Sequence, residues 1–361
     1  MKKTIPALLT VLCLSLLLGA ALADRTFEGV TVPDDADYVD FGDHAVSDLE
    51  GLADFLEGLP NVTRVDMFAN EMTKDKCDAL AERFPQIRWG WTLVIRSKDH
   101  KHLVRTDADA FSTLHNNKST PHTSEDFAIL KYCWNMKALD IGHNAVTDIG
   151  FLRDLPELRV LIIACNRVED ISPLADLHYL EYAELFKNRI EDLTPLSGLD
   201  HLLDLNICFN RVHDWSPLTS LTQLKRLWCY RSGWYYVNRE IPKSEVAMLK
   251  QALPNTEIDS THYSTAGTWR WLNKKTMHPH YAVITTIFGA DSRHPGTGYV
   301  PFEDSFPVEE PAAPDAEPAA PEEETAAPAE EPAGPEEEAP EEEPQETPAE
   351  TGTGVLTLNG D

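Results

Sequence analysis

Between Met136 and Gln223 the chain writes one 22-residue skeleton four times in succession: "MKALDIGHNAVTDIGFLRDLPE", "LRVLIIACNRVEDISPLADLHY", "LEYAELFKNRIEDLTPLSGLDH" and "LLDLNICFNRVHDWSPLTSLTQ". A fifth copy opens at Leu224 with "LKRLWCYRS". An asparagine recurs at Asn144, Asn166, Asn188 and Asn210 and gives way to Ser232, and an aspartate follows four residues later at Asp148, Asp170, Asp192 and Asp214. Three copies add a proline, at Pro173, Pro195 and Pro217. Columns held in register over 88 residues fit neither a helix period nor a strand period throughout. They describe a coil repeated at fixed length.

Each column has a physical use. In the second copy Leu161 and Ile163 alternate with other positions, which predicts a short strand with one face inward. The same alternation places strands at 139–141, 183–185 and 205–207, with Ala183 taking an inward place that leucine holds elsewhere. Asn166 bends the chain out of the strand and can bond backbone groups left without ladder partners. Val168, Ile171, Leu174 and Leu177 fill the coil's interior, and Pro173 favours a tight turn over a full helix. One coil cannot bury these side chains alone; stacked neighbours can.

The pattern L-x-x-L-x-L-x-x-N-x-Φ-x-D resembles that of leucine-rich repeats, specifically the 22-residue internalin-like type of secreted and surface proteins of Gram-positive bacteria. The resemblance covers about Met136 to Arg231. It implies an α/β fold: a right-handed solenoid with a parallel sheet on its concave side, and a binding role for that side.

Other segments flank the array. Residues 1–23, "MKKTIPALLTVLCLSLLLGAALA", read as a secretory signal peptide with Lys2 and Lys3 before an apolar run and small residues at its end. The mature protein is therefore expected outside the cell, with no transmembrane anchor after cleavage. Residues 24–95 pair Val39-Asp40-Phe41 with Val65-Asp66-Met67, each followed by an amphipathic run, and end on the strand-like "IRWGWTLVI". They read as longer repeats with helices on the convex side. Residues 96–130 show no period and are expected to be an irregular connection. The repeats fill 131–260, where "EVAMLKQALPNTEID" supplies a last helix and strand. An aromatic-rich stretch at 261–302 is expected to cap the exposed terminal coil.

Charge separates body from tail. Of 60 acidic residues, 20 lie between Glu303 and Asp361 with no Lys or Arg, which leaves 40 acidic against 31 basic residues upstream. The body is only mildly acidic and carries no basic stripe, so a nucleic-acid partner is disfavoured. The tail at 303–361, rich in Pro, Glu and Ala, lacks the large apolar residues a core needs and is expected to be disordered.

Catalytic and metal chemistry is hard to place. None of Cys77, Cys133, Cys165, Cys208 and Cys229 stands in a C-x-x-C pair. Cys165 and Cys208 fall two strands apart, about 10 Å, too far for a disulfide. Cys229 is expected as a packed core thiol. His100, His102, His115 and His122 crowd the connection, but no Cys or carboxylate stands at a supporting spacing, so a solvated loop is the simpler reading. No nucleophile elbow, phosphate loop or H-E-x-x-H occurs. The chain is expected to be neither an enzyme nor a holder of a cofactor or metal, and to be a monomer.

Freedom remains at the third, fifth, seventh and eighth positions of each copy. Those of the first two copies are mostly small or aliphatic. The later ones are aromatic and charged: Tyr182, Glu184, Phe186, Asp204, Phe209, Arg226, Trp228, Tyr230 and Arg231, the composition of a binding patch. They are the expected contacts of a protein or peptide partner, and a large partner would also reach Asp40, Asp66 and Trp89. In the plainer alternative, Asp204 and Arg226 neutralise each other while the aromatics pack on the cap. A structural spacer without a specific ligand, or a glycan-binding module using Trp269 and Trp271, are the rival functions.

Overall fold

The structure, a computed structural model, describes residues 24–113, 120–230, 241–261, 270–271 and 276–288. The chain divides into two units, 1–308 and 309–361, and all described residues belong to the first. The signal-peptide and tail readings, Arg231 and Trp269 lie outside the described residues.

Strands β1 (Asp24–Phe27) and β2 (Val30–Pro33) form an antiparallel hairpin. Two strand-helix units follow: β3 (Tyr38–Asp40) with α1 (Leu49–Glu57), and β4 (Arg64–Met72) with α2 (Lys74–Arg83). They lead into β5 (Arg88–Arg96). Val39, Val65 and Trp89 are in register across these parallel strands and all point inward. Trp89, expected on a binding face, is thus a core residue, only 4% exposed. Asp48 caps α1 by accepting the Gly51 N–H at 2.9 Å, and the helix turns Leu52, Ala53, Phe55 and Leu56 onto the core.

Residues 96–130 are not an irregular connection. They hold β6 (Lys101–Arg105), antiparallel to β5, then β7 (Ala110–Ser112) and the short helix α3 (Ser124–Phe127). The strand β7 opens the main sheet, which continues in parallel through β8 (Ala138–Asp140), β9 (Val160–Ile162), β10 (Tyr182–Glu184), β11 (Asp204–Asn206), β12 (Arg226–Trp228) and β13 (Glu257–Asp259), with α4 (Lys243–Ala252) preceding the last. A 22-residue comparison passes over the coil of β7 because Ala110 pairs with Ala138, 28 residues on. His122 takes the place of the repeat's valine: Asn144 Oδ1 accepts its N–H at 2.9 Å, as Asn166 accepts that of Val146 at 3.0 Å. Its imidazole is fully buried, and burial lowers its pKa. Of the connection's histidines, His122 is core rather than solvated loop, His100 and His102 are partly exposed, and His115 lies outside the described residues.

The strands begin one residue earlier than the alternation predicts, but the inward set is the expected one. Leu139, Leu161, Ala183 and Leu205 are in register and fully buried. Burying one such leucine contributes about 1.5–3 kcal/mol, repeated at each coil that carries one.

The asparagine column forms a ladder. Asn188 Oδ1 accepts the Val168 N–H at 3.0 Å, and its amide donates to Ile163 O at 2.9 Å and Leu185 O at 3.1 Å. Asn166 and Asn210 repeat the arrangement one coil away on either side. The aspartates nucleate the next turn: Asp170, Asp192 and Asp214 accept the N–H of Ser172, Thr194 and Ser216 at 2.7 to 2.9 Å. Between strand and asparagine the eighth position of each copy is left-handed, with φ of 55° to 58° at His143, Cys165, Lys187 and Phe209. None is glycine, and the ladder holds them there.

Candidate functional site

A parallel strand has two faces, and the copies spend one of them on leucine. The other carries the third, fifth and seventh positions. Register sets Val160, Tyr182, Asp204 and Arg226 in one row and Ile162, Glu184, Asn206 and Trp228 in the next. Exposed, these rows would form an open recognition surface. They are covered instead by the chain's own residues 270–271 and 276–288.

The covering segment ends in α5 (Pro279–Phe288), whose apolar side turns Val283, Ile284, Ile287 and Phe288 toward the sheet. They join Ala138, Val160, Ile162 and Ala164 in a second hydrophobic cluster, separate from the leucine core. The small side chains of the early copies leave room for a helix. Charged and aromatic residues of the later copies receive its polar entry. Arg270 Nη2 donates to Glu184 Oε1 at 2.8 Å, and its guanidinium lies 4.7 Å from the Tyr281 ring centroid. His280 Nδ1 lies 2.5 Å from Asp204 Oδ2, and Arg226 Nη1 is 3.3 Å from the same oxygen.

Burial governs the electrostatics of this layer. Asp204 is wholly buried, and desolvation raises its carboxyl pKa although His280 and Arg226 pull it down. Burial opposes the charge on Arg270, but Glu184 outweighs it and the guanidinium is held more firmly than in water. His278, desolvated and close to Arg226 and His280, is lowered to about 3 and stays neutral. Cys208 is pushed well up by burial and accepts the Tyr230 N–H on sulfur at 3.1 Å; Cys229, on the inner side, is pushed up to about 12.

The nine residues expected to form the patch are therefore split. Tyr182, Glu184, Asp204, Arg226 and Trp228 come together as expected, but beneath the chain's own segment, each less than a tenth exposed. Phe186, Phe209 and Tyr230 run along the edge as half-buried aromatics, with centroids 5.2 and 5.6 Å apart and edge-on rings. Arg231 is outside the described residues. The described part of the expected cap, 270–271 and 276–288, lies on the strand face, as the plainer alternative for Asp204 and Arg226 implies. Sequence reasoning missed Arg270, His278 and His280 as members of this layer. Their signal was present in the amphipathic "HPHYAVITTIF", without anything to say which surface it meets.

Among the described residues, one group combines side chains able to hold a metal ion: Asp204, His278 and His280. A surface depression of about 260 Å³ between α2, β5 and Trp134, floored by Phe84 and Trp89, is smaller than the roughly 300–1,000 Å³ of ligand pockets.

The family model for leucine-rich repeats in two copies matches residues 134–176. No curated protein matches the chain. Among solved structures the chain is similar to internalin C2 of Listeria monocytogenes, at 21% identity over 54% of this chain and 80% of that one, with a TM-score of 0.28. It is similar also to an internalin of the same organism, InlF, at 17% identity over 63% of this chain and 67% of that one, with a TM-score of 0.29.

Proposed function

We propose that this chain is a secreted, non-enzymatic recognition module that takes a protein or peptide segment on the outer face of its parallel sheet. One observation carries the reading: that face already accommodates a helical segment, through an apolar half and a charged half that match it. The partner is then a segment of similar chemistry, an apolar helical row beside a basic residue, which displaces residues 270–271 and 276–288. It engages Tyr182, Glu184, Asp204, Arg226 and Trp228 beneath, with Phe186, Phe209 and Tyr230 at the edge. No described helix is long and apolar enough to cross a membrane.

The same observation favours a second reading. A face covered by its own chain is not a free surface, and a structural spacer needs none. Ile287→Asp separates the two, because it puts a charge into the fully buried contact of α5 with the sheet. A recognition module with that substitution captures a partner more strongly than the parent chain does, and adding Glu184→Gln or Trp228→Ala abolishes the gain. If the released face captures nothing that those substitutions affect, the spacer stands.

A further inference from the structure

Position three of a copy faces away from the leucine core, and nothing in the repeat asks for a carboxylate there. Asp204 is nonetheless fully buried, and its Oδ1 has no hydrogen-bond partner among the described residues. An ionised carboxylate in that setting needs compensation. Arg226 supplies one long contact, at 3.3 Å to Oδ2, rather than a two-pronged pair. The segment entering α5 brings two imidazoles over the same point, His278 and His280, on either side of Pro279. One ligand atom from each of the three side chains lies within 4.8 Å of the others.

We infer that Asp204, His278 and His280 form a binding site for one divalent transition-metal ion of the zinc type, and that this ion pins the start of α5 to the sheet. Two imidazole nitrogens and a carboxylate oxygen suit Zn²⁺, which takes them at about 2.0–2.2 Å with a water in the fourth position. Such bond lengths set ligand atoms about 3.0–3.6 Å apart. The present triangle has His280 Nδ1 and Asp204 Oδ2 at 2.5 Å and no separation above 4.8 Å, so shifts of about 1 Å in flexible side chains complete it. His278 Nδ1 faces the backbone N–H of His280 at 3.2 Å and exchanges that weak hydrogen bond for the metal. Arg226 then acts as an outer partner of the carboxylate. An ion pair among Asp204, His280 and Arg226 would need no third ligand; His278 is what distinguishes a metal site from it.

The inference stands on geometry alone and does not depend on a partner for the face. The full chain, stripped with a chelator, is titrated with ZnCl₂ by calorimetry and with CoCl₂ by visible absorption. One equivalent binds at least a hundredfold more tightly than to the remaining histidines, and Co²⁺ gives the intense bands of a four-coordinate site. Zn²⁺ slows amide exchange across 280–288. His278→Gln, which leaves the Asp204–Arg226 pair intact, weakens Zn²⁺ at least tenfold and removes that protection without changing the melting of the metal-free chain; His102→Gln changes neither. Undiminished binding in both His278→Gln and His280→Gln, or no saturable equivalent in the parent chain, overturns the site. Tight binding without exchange protection overturns the pinning. Since the parent chain alone is decisive through its Co²⁺ spectrum, a variant that fails to fold does not protect the proposal.

Discussion

The two faces of the seven-stranded sheet are built by different rules. On the inner face the coils supply apolar residues, mostly leucine, at the same positions, and each meets its equivalent in the next coil, as Ala183 meets Leu161 and Leu205. On the outer face the side chains change from copy to copy, and several of them meet a segment far along the chain. Glu184 and Arg270 are 86 residues apart, and Asp204 and His280 are 76. A repeated contact is cooperative by construction, since removing it breaks the stack on both sides. A single docked helix is not, and it can open while the stack stays closed.

The largest effect expected is at the inner face. Leu161→Asp places an uncompensated charge in the stack and costs at least about 4 kcal/mol, read as loss of the cooperative transition in urea. Next is the seam between coils. Asn188→Ala leaves the Val168 N–H and the Ile163 and Leu185 carbonyls without their side-chain partner, a cost of about 3 kcal/mol at roughly 1 kcal/mol per bond. Ile287→Asp, on the outer face, is bounded by the docking energy of α5: global stability falls by no more than about 2 kcal/mol, while amides of 280–288 lose protection against exchange. Should Ile287→Asp cost as much as Leu161→Asp, the two faces would be one core and the comparison would fail.

Smaller effects sharpen the account of the turns. Lys187 is exposed and held at a φ of 55°, so Lys187→Gly removes backbone strain and raises stability by up to about 1 kcal/mol, measured by thermal melting. The turn aspartates give a pH dependence. Hydrogen bonds from Ser172, Thr194 and Ser216 lower the carboxyls of Asp170, Asp192 and Asp214. Their folded pKa values thus lie below the unfolded value of about 3.9. The stabilisation is complete above that value and is lost as pH falls through the folded one. Asp192→Asn should flatten the acid limb of a melting curve taken between pH 5 and about 2, and an unchanged limb would show that the turn carboxylates do not contribute to it.

Much of the solenoid was legible because its contacts are periodic. The Leu, Asn and Asp columns each name a neighbour 22 residues away, and the register follows. The coil of β7 was not legible, since a longer turn and a histidine in the valine's place conceal the same backbone pattern. Nor was the position of Trp89, because aromatic character alone does not say which face of a strand it takes. Of the outer-face residues, the selection of Tyr182, Glu184, Asp204, Arg226 and Trp228 could be read from composition, but not what they touch.

From sequence alone come the coil, its inward leucines, the asparagine seam and the existence of an aperiodic second face. These rest on local spacing, which the chain states wherever it repeats. Only the tertiary structure placed residues 270–271 and 276–288 on that face, joining Arg270 to Glu184 and bringing His278 and His280 to Asp204. An apolar helix side fits any apolar surface of suitable width, and shape and charge complementarity choose among them only after the solenoid has formed.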